Sequence, residues 1–293
     1  MKALLVKLLF RIFSLLPLRA AHALGAGIGT LFWLIPNRRR RTAETNLRLC
    51  FPEMSDAERA ALARESLREY AKGFAELGAL WTRDADGLRR LISEVRGGEA
   101  MRNAMAAGKG VIFAGPHIGA WELAGLYVSL LGPMNTMFRT PPMAELGNAM
   151  RRVRERTGAR LVPADASGVR ALMKGLARGE SIAILPDQVP GDMTGAVFAP
   201  FFGQPAATMV LLSRLAAKTG APVFYGVAER LARGKGYRMH FLPAPPEVAS
   251  EDTVIAATAV NAMVEKCVRL APAQYQWVYK RFRVRPPGEG PVY

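Results

Sequence analysis

The run Val111-Ile112-Phe113-Ala114 holds four apolar residues in succession and is closed by Gly115-Pro116. A strand without alternation is buried on both faces, as in a parallel sheet covered by helices. The rest of the chain repeats the theme. Helices are expected over residues 121–131, 143–156, 169–177, 207–219 and 254–270, with strands over 136–139, 160–163, 182–185, 223–227 and 237–242 between them. This alternation predicts an α/β fold with a mostly parallel central sheet flanked by helices on both faces. At 293 residues with 50% apolar side chains, the chain can bury one large core. Ligands of such sheets bind beyond the carboxyl ends of the strands. His117, Arg139, Pro163 and Pro186-Asp187-Gln188 all follow predicted strands, so they are expected on one rim.

The N-terminal part has a different character. Residues 1–36 are mostly Leu, Ile, Ala, Phe and Gly, with Lys7, Arg11 and Arg19 interspersed and Pro17 breaking the run. A basic, apolar helix of this kind lies on an anionic membrane surface. The piece from Ala20 to Pro36 is at the short end of what spans a bilayer. The block Arg38-Arg39-Arg40-Arg41 that follows should stay on the cytoplasmic side. Two units are expected: a membrane-anchoring segment, 1–36, and an α/β domain, 37–293. Gly25-Ala26-Gly27-Ile28-Gly29 has no strand before it, so it is read as close helix packing and not as a dinucleotide loop. Further on, Ser55 and Glu58 form a capping box for an amphipathic helix of roughly seven turns that runs through Trp81.

Charge narrows the function. The formal net charge is +16, from 40 Lys and Arg against 24 Asp and Glu, which implies an anionic partner: nucleic acid, an anionic bilayer, or an acidic substrate or carrier. Residues 1–48 carry nine basic side chains and one acidic, half of the excess, in the most apolar part of the chain. That placement argues for a membrane over a nucleic acid, as does the lack of any recognition motif. Cys50 and Cys267 stand alone, which excludes a disulfide scaffold and leaves no zinc motif.

His22, His117 and His240 are the three histidines, and His117 alone lies at a strand-to-helix turn with a carboxylate, Glu122, close in sequence. Histidine is the base that titrates near neutral pH. Residues five apart in a regular helix differ by about 140° in azimuth, so the two can meet only if His117 precedes the first turn. Glu122 could then fix the imidazole tautomer. Spacing alone leaves two readings open, a base with its orienting carboxylate or a helix-capping pair. No Gly-x-Ser-x-Gly elbow supplies a nucleophile, so such a base would activate a substrate hydroxyl directly.

Seven segments in order carry a resemblance: Asn46-Leu-Arg-Leu-Cys50-Phe-Pro-Glu53; Gly115-Pro-His117-Ile-Gly-Ala-Trp-Glu122; Phe138-Arg139-Thr-Pro; Arg152-Val-Arg154-Glu-Arg-Thr-Gly158; Leu185-Pro-Asp187-Gln188; Phe201-Phe202-Gly203-Gln-Pro205-Ala-Ala-Thr208; and Pro272-Ala-Gln274-Tyr275-Gln-Trp277-Val-Tyr-Lys-Arg281-Phe282. The pattern resembles the late acyltransferases of lipid A biosynthesis, the bacterial branch of the glycerolphosphate acyltransferase superfamily with its His-x4-Glu/Asp signature. The resemblance implies transfer of a fatty acyl chain from acyl carrier protein to a hydroxyl of a lipid A precursor of the Kdo2-lipid IVA type. It places this reaction at the cytoplasmic face of the bacterial inner membrane, with residues 37–293 as the acyltransferase domain. His117 would be the general base and Glu122 its orienting partner. Arg139 and Arg154 are assigned to oxyanion or phosphate stabilisation, and Asp187 and Gln188 to shaping the substrate site. Gln274, Trp277 and Arg281 are expected beneath the site, and Thr208 is expected to cap the helix after it. No cofactor or metal is implied beyond the acyl carrier protein as co-substrate.

The chain departs from the pattern at Ala120, where many members have Asn, and at Ile118 and Tyr279-Lys280. These leave the reaction type intact and open the substrate detail. Another lipid acceptor, such as lysophosphatidic acid, an ornithine lipid or a glycosylated phosphoinositide, would use the same chemistry. Leu185-Pro-Asp187-Gln188 stands where lysophosphatidic acid enzymes carry a Phe-Pro-Glu-Gly-Thr-Arg-like block, which counts against that acceptor.

Overall fold

The computed structural model describes residues 12–139, 143–191 and 193–293. Helix α1 (Leu18–Leu34) starts immediately after Pro17, whose fixed φ suits a helix entry. Helix α2 (Arg38–Cys50) starts from Asn37, whose side chain accepts the Arg40 N–H. Helix α3 (Asp56–Thr82) is 27 residues long and opens with the expected capping box, Ser55 and Glu58 each accepting the other's backbone N–H.

The glycines of α1 do what close packing requires. A Cβ on Gly25 would fall 2.8 Å from Lys72 Cα, and one on Gly29 would fall 2.4 Å from Arg68 Cα, both in α3. The face of α1 that carries Leu18, Ala21, His22, Gly25, Ala26 and Gly29 is thereby buried. Leu24, Leu31, Leu34 and Ile35 remain exposed on the other side. The expected anchor is therefore only partly visible in structural terms. Lys2, Lys7 and Arg11 lie outside the described residues, and no single helix among those described is long and apolar enough to cross a membrane. Helices α1 and α2 together meet the length and composition, but they are bent by 83°.

The α/β body follows. Its elements are α4 (Ala85–Leu91), β1 (Ile92–Arg96), α5 (Gly98–Ala106), β2 (Val111–Ala114), α6 (Trp121–Ser129), β3 (Met134–Phe138), α7 (Ala144–Arg156), β4 (Ala159–Pro163), α8 (Ala166–Ala177) and β5 (Ser181–Ile184). A hairpin, β6 (Ala196–Phe201) and β7 (Gln204–Met209), precedes α9 (Leu211–Thr219), β8 (Val223–Arg230), β9 (Tyr237–Pro243) and α10 (Thr253–Leu270). One seven-stranded sheet has the order β1-β9-β8-β2-β5-β3-β4, and every neighbouring pair is parallel except β8 with β9. Strand β2 is central and wholly buried, as its unbroken apolar run predicts. Ile112 and Ala114 join one core cluster with Ile182 and Ile184, while Val111 and Phe113 join another with Met134 and Ala183. Both faces of the sheet are covered.

One sequence expectation is corrected. The helix predicted over 207–219 begins at Leu211, and Ala207, Thr208 and Met209 belong to the hairpin, where Thr208 pairs with Val197. Thr208 caps nothing. Its hydroxyl is buried beside the Asn261 amide (2.8 Å) and the Arg281 guanidinium (3.1 Å). Strand β1 and the hairpin itself had no sequence expectation, because neither shows clean alternation.

The α1 contact gives a direct test. Gly29→Val would drive a branched side chain into the α3 backbone and should lower stability by about 1–3 kcal/mol. Gly27→Val, where a Cβ would meet nothing within 4 Å, should stay within about 0.5 kcal/mol of the parent. Thermal melting of both variants checks the pair; equal melting temperatures would contradict the docking of α1.

Candidate active site

Strand β2 ends at Ala114, and the Gly115 N–H still donates to the Ile184 carbonyl of neighbouring β5 at 2.9 Å. His117 then stands in the turn before α6, and Asp187 stands just past the end of β5. The two meet. Asp187 Oδ2 accepts the His117 backbone N–H at 2.9 Å, and Oδ1 lies 2.8 Å from His117 Nδ1. An ionised carboxylate can only accept, so Nδ1 carries a proton, and in the neutral ring the lone pair is on Nε2. The Gln188 amide nitrogen lies 3.2 Å from Nε2 and donates to Gln276 Oε1 at 3.1 Å. Burial by itself pushes the Asp187 carboxyl up, since only 2% of the residue is exposed. The positive charge of His117 when its ring is protonated, and its two hydrogen bonds, outweigh that and hold Asp187 below the usual carboxylate range.

Glu122 does not take the place expected for it. It lies in the first turn of α6 and receives a two-pronged contact from Arg154 of α7, Nε to Oε1 at 3.0 Å and Nη2 to Oε2 at 2.7 Å. The physical reason is azimuth. His117 is outside the helix and faces β5, whereas Glu122 is inside it and faces α7. The expected pairing of His117 with Glu122 is thus replaced by two pairs, His117 with Asp187 and Glu122 with Arg154.

The turn between them is held from behind. The Gly119 N–H donates to the Gln274 carbonyl (3.0 Å) and the Ala120 N–H to the Ala228 carbonyl (2.8 Å). Gly119 has φ +61, and a Cβ there would fall 2.1 Å from the Ala228 oxygen, so the position requires glycine. Arg230, at the end of β8, donates to the Gly119 carbonyl at 2.7 Å and makes two 2.7 Å contacts to Glu76 of α3. Glu76 also meets His22 of α1 at 3.0 Å and the Tyr237 hydroxyl at 2.8 Å. Burial pushes Glu76 up, but Arg230 and His22 hold it below its ordinary value. Arg230 and Glu76 were missed in the sequence. Nothing local marks them, because their partners are 154 positions apart. Gln274 was expected beneath the site and is there, whereas Arg281 is buried farther away under the hairpin, donating to the Ala207 carbonyl.

Two cavities border His117. One, about 590 Å³, runs beneath α6 and is lined by Phe113, Leu126, Met134, Met137, Leu185 and other largely apolar side chains, with Arg139, Arg154 and Gln188 also on its wall. The other, about 70 Å³, lies towards α3 and is lined by Tyr70, Phe74, Gly119 and Arg230 among others. His117, Trp121 and Glu122 line both. All six residues expected at the site are therefore brought to one end of the sheet. Arg139 is exposed and makes no side-chain hydrogen bond or ion pair among the described residues. Pro163, expected on the same rim, lines a separate depression with Arg139 and Phe138.

The sequence pattern of bacterial lipid A biosynthesis acyltransferases matches residues 2–284. The chain belongs to that family. It is 31% identical to the lipid A biosynthesis lauroyltransferase of Escherichia coli (strain K12) over 276 residues, covering 93% of this chain and 88% of the relative. It is 30% identical to the palmitoleoyltransferase of the same organism over 282 residues, covering 95% and 90%. The myristoyltransferase is 28% identical, with coverage of 94% and 85%. In this acyltransferase all three histidines contact a carboxylate, His22 with Glu76, His117 with Asp187 and His240 with Glu229. His117 is set apart by its position between the two cavities.

The depressed Asp187 pKa fixes the sign of a stability test. Its stabilisation is complete above the unfolded-state value of about 3.9 and is lost as pH falls through the lower folded value. Asp187→Asn should therefore cost about 2 kcal/mol at neutral pH, with the gap closing below about pH 4. Denaturant titrations across pH check this, and a gap that widens in acid would contradict the ionised pairing.

Proposed function

We propose that this acyltransferase moves a fatty acyl chain from acyl carrier protein to a hydroxyl of a lipid A precursor of the Kdo2-lipid IVA type, with His117 as general base. The observation that carries the proposal is the 2.8 Å contact between His117 Nδ1 and Asp187. Asp187 holds a proton on Nδ1, so the neutral ring has its lone pair on Nε2, beside the Gln188 amide, in a residue that lines both cavities. In the reaction, the acceptor hydroxyl gives its proton to Nε2 while its oxygen attacks the thioester carbonyl. The tetrahedral intermediate collapses with cleavage of the carbon–sulfur bond, and the departing thiolate takes the proton back from the imidazolium. No covalent enzyme intermediate and no cofactor is needed. Asp187 stabilises the imidazolium without itself taking the proton.

The larger cavity suits the acyl chain of the donor, being long and mainly apolar. The smaller suits the acceptor, since it opens beside Tyr70 and the exposed Phe74. Phe74 and the exposed Leu24, Leu31 and Leu34 would rest in the acyl boundary of the cytoplasmic leaflet of the inner membrane, with basic side chains among its anionic headgroups. Arg139 is the cation offered to the oxyanion or to a phosphate, and Glu122 keeps Arg154 at the cavity wall. An acidic carrier and a phosphorylated acceptor both complement a net charge of +16.

The test is transfer from acyl carrier protein to a tetraacylated precursor, read as a mass increase of one acyl group. His117→Ala should reduce the rate by about 10²- to 10⁴-fold while the protein stays folded and membrane-bound. Glu122→Gln, which loosens Arg154, should reduce it by about 10²-fold. An undiminished rate in His117→Ala would eliminate the mechanism.

A further inference from the structure

The larger cavity has a measurable depth. Positions 121, 125 and 129 of α6 all line it, and each is one helical turn, about 6 Å, beyond the last. Trp121 marks the mouth, its ring centroid 5.2 Å from that of His117. Ser129 marks the far end. Met134 and Ala159 lie there too, paired with each other at the first residues of β3 and β4, the edge of the sheet opposite the catalytic rim. Strand rise gives a similar depth, since Met134 and Met137, which both line the cavity, are about 10 Å apart along β3. The floor is closed by polar groups that satisfy one another. The Ser129 hydroxyl lies 2.7 Å from both the Leu126 carbonyl and the Thr157 hydroxyl, and the latter lies 2.9 Å from the Arg154 carbonyl.

Gly125 stands halfway along this channel. Its φ is not in the left-handed region, and a Cβ built on it would meet no heavy atom within 4 Å. Neither backbone conformation nor close packing therefore calls for glycine, in contrast to Gly29 and Gly119. Glycine weakens a helix interior relative to alanine, and α6 is only nine residues long. What the missing side chain does leave is an open passage from the mouth to the floor.

We propose that Gly125 is a specificity-determining residue that sets the length of fatty acyl chain this enzyme accepts, by keeping the channel open past its first helical turn to the floor at Ser129, Met134 and Ala159. The inference rests on the reading of this cavity as the acyl-chain site. A side chain at 125 would close the inner half of the channel while leaving His117, Asp187 and the mouth untouched. Long chains would then have to fold back or stay in water, whereas short ones would still fit.

The experiment uses the full-length protein in detergent with a tetraacylated lipid A precursor and acyl carrier protein loaded with octanoyl, decanoyl, lauroyl, myristoyl or palmitoyl chains. Gly125→Leu should retain the wild-type kcat/KM with the shortest chains that the wild type accepts. With the longest accepted chains it should lose about 10- to 100-fold, the range for one or two methylenes that no longer fit a pocket. Gly125→Ala, which adds a methyl to open space, should shift the profile in the same direction by less and guards against a failure of the leucine variant to fold. A profile unchanged in shape, or a uniform loss across all chains in variants whose thermal melts match the wild type, would overturn the role of Gly125 while leaving the acyltransfer reading standing. Failure of the wild type to use any of these donors would overturn the reading of the cavity, and this inference with it.

Discussion

The carboxylate of Asp187 binds two protons of one residue, the backbone N–H and the imidazole N–H of His117, and the geometry of the site depends on that contact. It joins the exits of β2 and β5, adjacent parallel strands at the middle of the sheet. A carboxylate this buried is tolerable only when its charge is met, and both of its oxygens are occupied by the same partner. The contact fixes three things at once: where the turn after β2 runs, how the imidazole is rotated, and which of its nitrogens has the lone pair in the neutral ring.

A second ionic layer supports the first. Arg230 grips the carbonyl of Gly119 from behind and is itself held by Glu76, which reaches His22 on α1. The N-terminal helix is thereby connected, through buried charge and through backbone contacts at Gly25 and Gly29, to the turn that carries His117. A segment whose composition suits a bilayer surface thus also braces the turn at His117. The Glu122–Arg154 pair braces the other side, tying α6 to α7 across the larger cavity.

Much of the architecture was legible because it depends on local signals. The apolar run of β2, the capping box at Ser55 and the close-packing glycines of α1 each act within a few residues, and each appears where its pattern placed it. His117 stood out for the same reason. Its partner did not, because Asp187 lies 70 residues away in a Pro-Asp-Gln segment that reads equally well as a plain turn. Nearness in sequence points Glu122 at His117, but a residue inside a helix and one just before it face different neighbours. Arg230 and Glu76 look like ordinary surface charges in the sequence; only the fold brings them together and removes water from them. The hairpin at 196–209 was obscured by Pro205-Ala-Ala, which carries neither β-branching nor alternation.

The most direct measurement is the protonation state of the His117 ring, read from the nitrogen-15 chemical shifts of its two nitrogens in labelled protein near neutral pH. With Asp187 intact, the neutral imidazole should carry its proton on Nδ1 and show Nε2 bare; in Asp187→Asn that preference should be lost. A wild-type ring with its proton on Nε2, or one whose tautomer is indifferent to Asp187→Asn, would contradict the assignment of His117 as a base oriented by Asp187.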